Sequence, residues 1–347
     1  PTEVWDRSFL FSVIIPVYNT EEYVEETIQS ILAQSIGFDQ NIQIILVNNA
    51  TTDNAGEICR HYAEQFPCNI IYVELPENRG PSGARNAGIP YARGEYVNFL
   101  DSDDKWDKNA FEHIYAFFQK HGGQVNAVVG RMQYFDAISG WTRFDYKFKR
   151  SIVCDIKAEP TFMQFNGSSM VLRRELLNKY KFDEQSKFAE DLKFVSEIIL
   201  NAQRYGIIRE AIFYYRSRRN SQMQVKDSKR DWYMDVVPKC YLYLIELSKK
   251  IYGEVIFYVQ YLLMQDMCWR VRLGKPPICL SENDFAQYIS WLKKIFNEID
   301  DFIILSQPDL WREYKLACLK LKYGEDVIYQ FECRHGKLTF HNLDWFK

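Results

Sequence analysis

Ser12-Val13-Ile14-Ile15-Pro16-Val17-Tyr18-Asn19 is apolar almost without interruption and ends on a proline, an aromatic and an asparagine. Its residues do not alternate between apolar and polar, so both faces of the strand they form must be covered, as in a parallel sheet flanked by helices. The same unit then repeats. Glu21–Gln34 reads as an amphipathic helix, followed by strand Gln43–Val47, helix Asn54–Gln65, strand Asn69–Glu74, helix Gly80–Ala92 and strand Tyr96–Leu100. This succession predicts a parallel α/β sheet. Ligands of such sheets bind beyond the carboxyl ends of the strands. Those ends carry Pro16-Val17-Tyr18-Asn19, Asn48-Asn49-Ala50-Thr51-Thr52-Asp53 and Asp101-Ser102-Asp103-Asp104.

Between Val125 and Arg219 the pattern is mixed, with strand-like pieces around Ala127–Tyr134 and Ala211–Tyr215 and helices near Arg173–Asn178 and Ala189–Asn201. From Asp231 onward it is helical (Asp231–Ile251, Glu254–Arg272, Ser281–Glu298, Leu310–Lys322). It ends in an expected hairpin, Tyr329–Cys333 and Lys337–His341, turned at Arg334-His335-Gly336. The expected organisation is a 1–225 α/β domain with helices on both faces of its sheet, then a smaller, mostly helical 226–347 region closing in the hairpin.

A chain of 347 residues, 47% apolar and with net charge −3, can bury a large core. It has no basic tract suited to nucleic acid, which is excluded as a partner. The eight cysteines lack C-x-x-C or zinc-ligand spacing, which points to a reducing compartment. The longest apolar stretch in the second half, Val255 to Met267, is interrupted by Gln260, Gln265 and Asp266 and falls short of the roughly 20 residues a membrane span needs. No signal peptide is evident. The expected location is cytoplasmic, with room for peripheral association at the inner face of the cell membrane. The chain begins at Pro1 rather than methionine, which leaves room for an anchor or further domains outside it.

Asp101-Ser102-Asp103-Asp104 concentrates hard oxygen ligands where the chain leaves a strand. Mg²⁺ and Mn²⁺ prefer such carboxylates and commonly bridge them to phosphate oxygens. An acidic, capped helix start would explain the same residues. In Asn78-Arg79-Gly80-Pro81-Ser82-Gly83-Ala84-Arg85-Asn86-Ala87-Gly88, glycines and a basic side chain stand where a loop enters a helix. Backbone N–H groups and Arg85 could meet a diphosphate there, and tight turning with close helix packing is the competing reading.

In their order these motifs resemble family 2 glycosyltransferases of the GT-A (Rossmann-like) fold, a likeness that covers about Phe11 to Gln224. The residues that carry it are Ser12 to Asn19, Asn78 to Gly88, Phe99-Leu100-Asp101-Ser102-Asp103-Asp104 as the D-x-D motif, and Ala189-Glu190-Asp191. The resemblance implies that Pro16, Val17, Tyr18 and Asn19 line the nucleotide, with Pro16 and Tyr18 by the base. It implies that Asp101, with Ser102 beside it, and Asp103 serve the ribose and a Mn²⁺ or Mg²⁺ ion, both aspartates being candidate metal ligands. It makes Asp191, next to Glu190, the catalytic base. Asn49, Asn78, Gly80 and Arg85 belong to the expected donor site. The segment Phe213-Tyr214-Tyr215-Arg216-Ser217-Arg218-Arg219-Asn220-Ser221-Gln222 is similar to one in non-processive bacterial members. It offers Arg216, Arg218 or Arg219 to the leaving diphosphate and Ser221 and Gln222 to a closing loop.

One signature departs from the family. Where V-D-D-G-S-T-D is usual, this chain has Val47-Asn48-Asn49-Ala50-Thr51-Thr52-Asp53. Asn49 can still accept a hydrogen bond from uracil, but it also brings a donor that a carboxylate lacks. The resemblance implies an inverting, metal-dependent transfer from a nucleoside-diphosphate sugar, with uridine first among bases. The acceptor would be a hydroxyl of a bacterial surface glycan or polyol-phosphate polymer. The region between Thr161 and Arg174, with Phe165-Asn166-Gly167-Ser168-Ser169, is expected to select the acceptor, although a plain helix-capping loop explains it equally well, and a cleft shared with the later helices is expected to raise the Asp191 pKa. The C-terminal region is loosely similar to that of wall teichoic acid N-acetylglucosaminyltransferases. A non-catalytic sugar-nucleotide or glycan-binding domain of a larger polymerase stays open, as does a sugar nucleotidyltransferase. The second would normally carry a glycine-rich, lysine-containing loop after the first strand, which Val17-Tyr18-Asn19-Thr20-Glu21 is not.

Overall fold

The computed structural model describes residues 8–218, 228–271, 277–324, 328–334 and 337–343. The chain separates into two compact units, Pro1–Gln224 and Val225–Lys347.

In the first unit, strands β1 (Phe9–Val17), β2 (Ile42–Asn48), β3 (Ile70–Glu74) and β4 (Gly94–Phe99) alternate with helices α1 (Val24–Leu32), the short α2 (Phe38–Asn41), α3 (Ala55–Gln65) and α4 (Gly80–Gly88). β2 is buried along its whole length and β1 nearly so, which is why their sequences do not alternate. Two glycines let backbone and helix approach this layer closely. A Cβ on Gly94 would lie 2.3 Å from the Ser12 nitrogen, and one on Gly88 would lie 2.6 Å from Ile14 Cγ2, so α4 sits directly on β1. The buried Ser12 hydroxyl is satisfied by Gln43 Oε1 at 2.6 Å and by the Gly94 N–H at 2.7 Å.

The remaining elements are β5 (Lys105–Trp106), α5 (Ala110–His121), β6 (Ala127–Asp136), β7 (Gly140–Trp141), β8 (Ile152–Asp155), β9 (Met170–Arg173), α6 (Glu190–Ala202) and β10 (Arg204–Ser217). The sheet order is β3-β2-β1-β4-β9-β6-β10-β5, with β7 on β6 and β8 on β10. β1, β2, β3 and β4 run parallel, whereas β9 is antiparallel to both β4 and β6. The chain winds from β1 outward through β2 to β3 and then returns to place β4 on the other side of β1. The carboxyl ends of β1 and β4 therefore flank the switch point where such sheets bind ligands.

Some expectations shift. Arg173–Asn178 is not an α-helix: β9 ends at Arg173, and Arg174–Asn178 is a single 3₁₀ stretch. The expected strand Ala211–Tyr215 is the end of the 14-residue β10, whose pairing with β6 slips between Ile208 and Ile212.

The second unit contains α7 (Arg230–Met234), α8 (Tyr243–Tyr252), α9 (Phe257–Val271), α10 (Glu282–Asn297), α11 (Asp301–Ser306), α12 (Arg312–Tyr323) and the hairpin β11 (Ile328–Arg334) with β12 (Lys337–Leu343). The helix expected over Asp231–Ile251 is broken, with a π-helical turn at Val237–Leu242. Pro238 lies in that turn, and its missing N–H and ring crowding prevent a regular α-helical path. No described helix is long and apolar enough to cross a membrane.

Candidate active site

Asp101 to Asp104 form a turn between β4 and β5, and the next helix, α5, starts only at Ala110. The helix-start reading of this acidic cluster is thereby removed. The Asp104 N–H closes the turn on the Asp101 carbonyl at 3.1 Å, and Ser102 is buried within it.

Both Asp101 oxygens are engaged. Oδ1 accepts from Arg85 Nη2 at 2.8 Å, and Oδ2 from the Ser168 hydroxyl at 2.8 Å. Asp103 instead pairs with Arg218 at 2.5 Å. Burial and the neighbouring Asp101 raise the Asp103 pKa against the pull of Arg218. Burial pushes Asp104 well above the usual carboxylate range, helped by Asp103 and Asp101. Asp104 accepts the Arg216 N–H at 2.8 Å through Oδ1, while its buried Oδ2 has no hydrogen-bond partner among the described residues.

Arg85 joins this turn to the second acidic pair. It is 4% exposed, and besides Asp101 it reaches Glu190 at 3.1 Å and Asp191 at 2.9 Å, with its guanidinium 5.1 Å from the centre of the Phe182 ring. The side chain points into the protein and carries three carboxylates, where a diphosphate contact was expected of it. Burial works against its charge, and Asp191, Asp101 and Glu190 together more than offset that.

Glu190 and Asp191 open α6, whose preceding residue Ala189 takes a left-handed conformation (φ 57°). A non-glycine residue there carries a small strain, held because α6 buries Leu192, Phe194, Val195 and Ile198 behind it. Burial raises the Asp191 pKa to about 7. Arg85 opposes this, Glu190 and Asp101 add to it, and the Gly167 N–H opposes it from 3.4 Å. The charged and hydrogen-bonding neighbours among these all belong to the first unit.

Gly167 meets Asp191 closely: an added Cβ would stand 3.2 Å from its Cγ and 3.3 Å from Oδ1. Gly167→Ala is expected to displace the carboxyl by a few tenths of an ångström and lower kcat by roughly 10-fold, leaving donor affinity nearly unchanged. A kcat/KM comparison in which only donor KM moved would contradict this.

Around the β1 and β2 ends, Tyr18 is 42% exposed at the crevice and Pro16 is half-buried. Val17 is fully buried, and its carbonyl accepts the Asn49 N–H at 2.9 Å, so it shapes the strand end. Asn19 (φ 53°) accepts from Thr52 N–H at 3.0 Å. Asn49 is buried and uses the donor a carboxylate would lack, giving it to Asn78 Oδ1 (3.0 Å) and the Gly80 carbonyl (3.2 Å). Its own Oδ1 accepts the Arg79 N–H at 2.9 Å. Asn49, Asn78 and Gly80 (φ 69°) therefore form one knot at the start of α4.

Arg216, expected at the diphosphate, also has internal partners. Its guanidinium is held by the Asp103 carbonyl (2.8 Å), Asp136 (3.0 Å) and Glu26, which brackets the β10 end to the acidic turn. Arg218 reaches the turn as a side chain. Arg219, Ser221 and Gln222 lie outside the described residues. Sequence reasoning missed Asn98, whose Nδ2 ties the Ser168 and Met170 carbonyls at 2.8 Å each. A polar residue inside an otherwise apolar strand was the available signal.

Among the described residues no group of three or more His, Cys, Asp or Glu side chains encloses a metal site. The residues fit a divalent ion shared with a substrate instead. Asp103 sits among carboxylates that raise its pKa and already attracts a cation, Arg218, while the other ligands would be phosphate oxygens and water.

A sheet switch point bordered by an Asp-x-Asp turn, with an acidic helix start tied to that turn through one arginine, defines a GT-A glycosyltransferase. The chain belongs to glycosyl transferase family 2, whose model matches residues 12–181. It is 33% identical over 344 residues to the minor teichoic acid biosynthesis protein GgaB of Bacillus subtilis, covering 95% of this chain but 38% of GgaB. To GgaA of the same organism it is 34% identical, covering 90% of this chain and 72% of the relative. The crystal structure of S. aureus TarS 1–349 in complex with UDP-GlcNAc superposes with a TM-score of 0.69 at 22% identity, covering 96% of this chain and 97% of that one. At that identity the match speaks for the fold.

Proposed function

We propose that this domain transfers a sugar, with inversion, from a UDP-sugar to a hydroxyl of a cell-surface polyol-phosphate or glycan polymer, at the cytoplasmic face of the membrane. The observation that carries the reading is Asp191: a carboxylate with a pKa near 7, tied by Arg85 to the acidic turn at the sheet's switch point. In the proposed step the acceptor oxygen bonds to the anomeric carbon as the bond to the diphosphate oxygen breaks, and Asp191 takes the acceptor proton. Asp101 orients Arg85 and the Ser168 loop, and also meets the ribose. Asp103 would hold Mn²⁺ or Mg²⁺ against the diphosphate, where the ion supplies neutralisation of the leaving group's charge. Tyr18 and Pro16 border the base, and Arg218 exchanges Asp103 for the diphosphate as donor arrives. The names of the relatives, teichoic acid biosynthesis proteins and a TarS bound to UDP-GlcNAc, support the choice of donor and acceptor.

The test is a melting-temperature screen of UDP-, GDP- and dTDP-sugars with and without Mn²⁺, paired with release of nucleoside diphosphate. UDP-sugars at a hundredfold excess over Kd are expected to raise Tm by about 5 °C, and Mn²⁺ to promote UDP release. No stabilisation by any nucleotide and no release would sink the proposal.

A further inference from the structure

Lys147 has no part in the chemistry above, yet it is one of the most deeply placed cations of the first unit. It is 3% exposed within the 3₁₀ stretch Asp145–Phe148. Its ammonium donates to the Met163 carbonyl at 2.6 Å and to Gln164 Oε1 at 2.8 Å, and among the described residues no carboxylate pairs with it. Burial lowers its pKa to about 7, so the fold tolerates a group that opposes its own placement.

The bonds continue toward the active site. Gln164 Nε2 donates to the Asn166 carbonyl (2.7 Å) and to the Ser169 hydroxyl (3.1 Å), and Asn166 Oδ1 accepts the Ser169 N–H at 2.7 Å. Between these anchors lie the two residues that touch the carboxylates: Gly167 N–H on Asp191 and Ser168 hydroxyl on Asp101. We propose that Lys147 is a positioning residue, which clamps the Met163–Ser169 loop so that Gly167 and Ser168 meet Asp191 and Asp101 in register. The geometry explains why lysine stands here. One ammonium supplies several donors from a single point and can hold a carbonyl and an amide oxygen on adjacent residues. An apolar side chain of the same length would fill the space without the desolvation penalty and without the clamp.

The consequence for turnover rests on the function proposed above, whereas the clamp itself does not, so the experiment reads them separately. Hydrogen exchange is measured on the intact, ligand-free chain for wild type, Lys147→Met, Gln164→Met and the double variant, followed by kcat and donor KM. The expected result is exchange at least 10-fold faster over 163–169 in each variant, with β1 to β4 unchanged. kcat should fall by roughly 10- to 100-fold, donor KM should stay within about threefold, and each variant should still unfold cooperatively, with a lower Tm because buried groups lose a partner. The double variant should be no worse than either single one, because both cut the same chain of bonds. Loop exchange equal to wild type in both single variants, or additive losses in the double, would overturn the clamp. An inactive wild type would count against the proposed function, while exchange would still decide the role of Lys147.

Discussion

Asp191→Asn is expected to lower kcat by about 10³-fold while leaving UDP-sugar affinity within a few-fold of wild type, since a positioned general base contributes roughly 10² to 10⁴. Asparagine keeps the size of the side chain and an oxygen for the Gly167 N–H and Arg85, but it cannot accept the acceptor's proton. The wild-type pH profile supplies the control. Asp191 must be ionised to act, and burial holds its pKa near 7. Wild-type kcat should therefore climb about tenfold per pH unit on the acid side and level off above neutrality, a limb the variant lacks. Stability carries the opposite sign. A carboxyl whose folded pKa is raised stabilises the fold at low pH and loses that contribution as pH climbs from the ordinary carboxylate range through about 7. The Tm of Asp191→Asn relative to wild type should thus improve between about pH 5 and about pH 8. Full activity in the variant, or a profile without an acid limb in wild type, would remove Asp191 from the chemistry.

Arg85→Met is expected to be the most damaging substitution outside that carboxylate. The guanidinium is the shared partner of Asp101, Glu190 and Asp191, whose side chains are 29%, 14% and 22% exposed. Removing it leaves three crowded negative charges, and breaking a buried ion pair from one side costs about 3–5 kcal/mol. Their residual exposure places the expected loss at the lower end, about 3 kcal/mol, measurable by urea unfolding. Asp191 would also lose its strongest acid-strengthening neighbour, so the acid limb of the rate profile should move to higher pH, with kcat at neutrality down by about 10²-fold. Arg85→Lys should recover little, because one point charge cannot present the planar fork that meets carboxylates on two sides. A variant unfolding within about 1 kcal/mol of wild type, with normal kcat, would mean that the cluster is held by something else.

Much of the sheet was legible in the sequence because local pattern and burial agree there. The continuous apolar runs Ser12–Val17 and Ile44–Val47 are the doubly covered strands they resemble. Gly80 to Gly88 shows the tight turning, at Gly80, and the close helix packing, at Gly88, that one reading of the segment expected. Where pattern failed, a longer-range term had taken over. β9 is a four-residue strand whose existence depends on pairing with β4 and β6 on either side, and no short window contains those partners. α5 is the exception, since the amphipathic pattern of Ala110–His121 is itself local. The break at Pro238 was readable from the proline alone.

For the site the division is sharper. Residue types along the chain are enough to show which chemistry is on offer: hard oxygens at Asp101 and Asp103, an acidic pair at Glu190-Asp191, and an amide in place of a carboxylate at Asn49. Residue type and strand-end placement are local properties, so one chain is enough to read them. What each group faces is set by the folded chain. It turned Arg85 inward to bind three carboxylates from two distant segments, spent Asn49 on the Asn78–Gly80 knot, gave Arg216 to Glu26 and Asp136, and set Lys147 under the loop that meets Asp191. Charge, burial and pKa are sums over neighbours in space, and those neighbours lie as many as 190 positions apart along the chain.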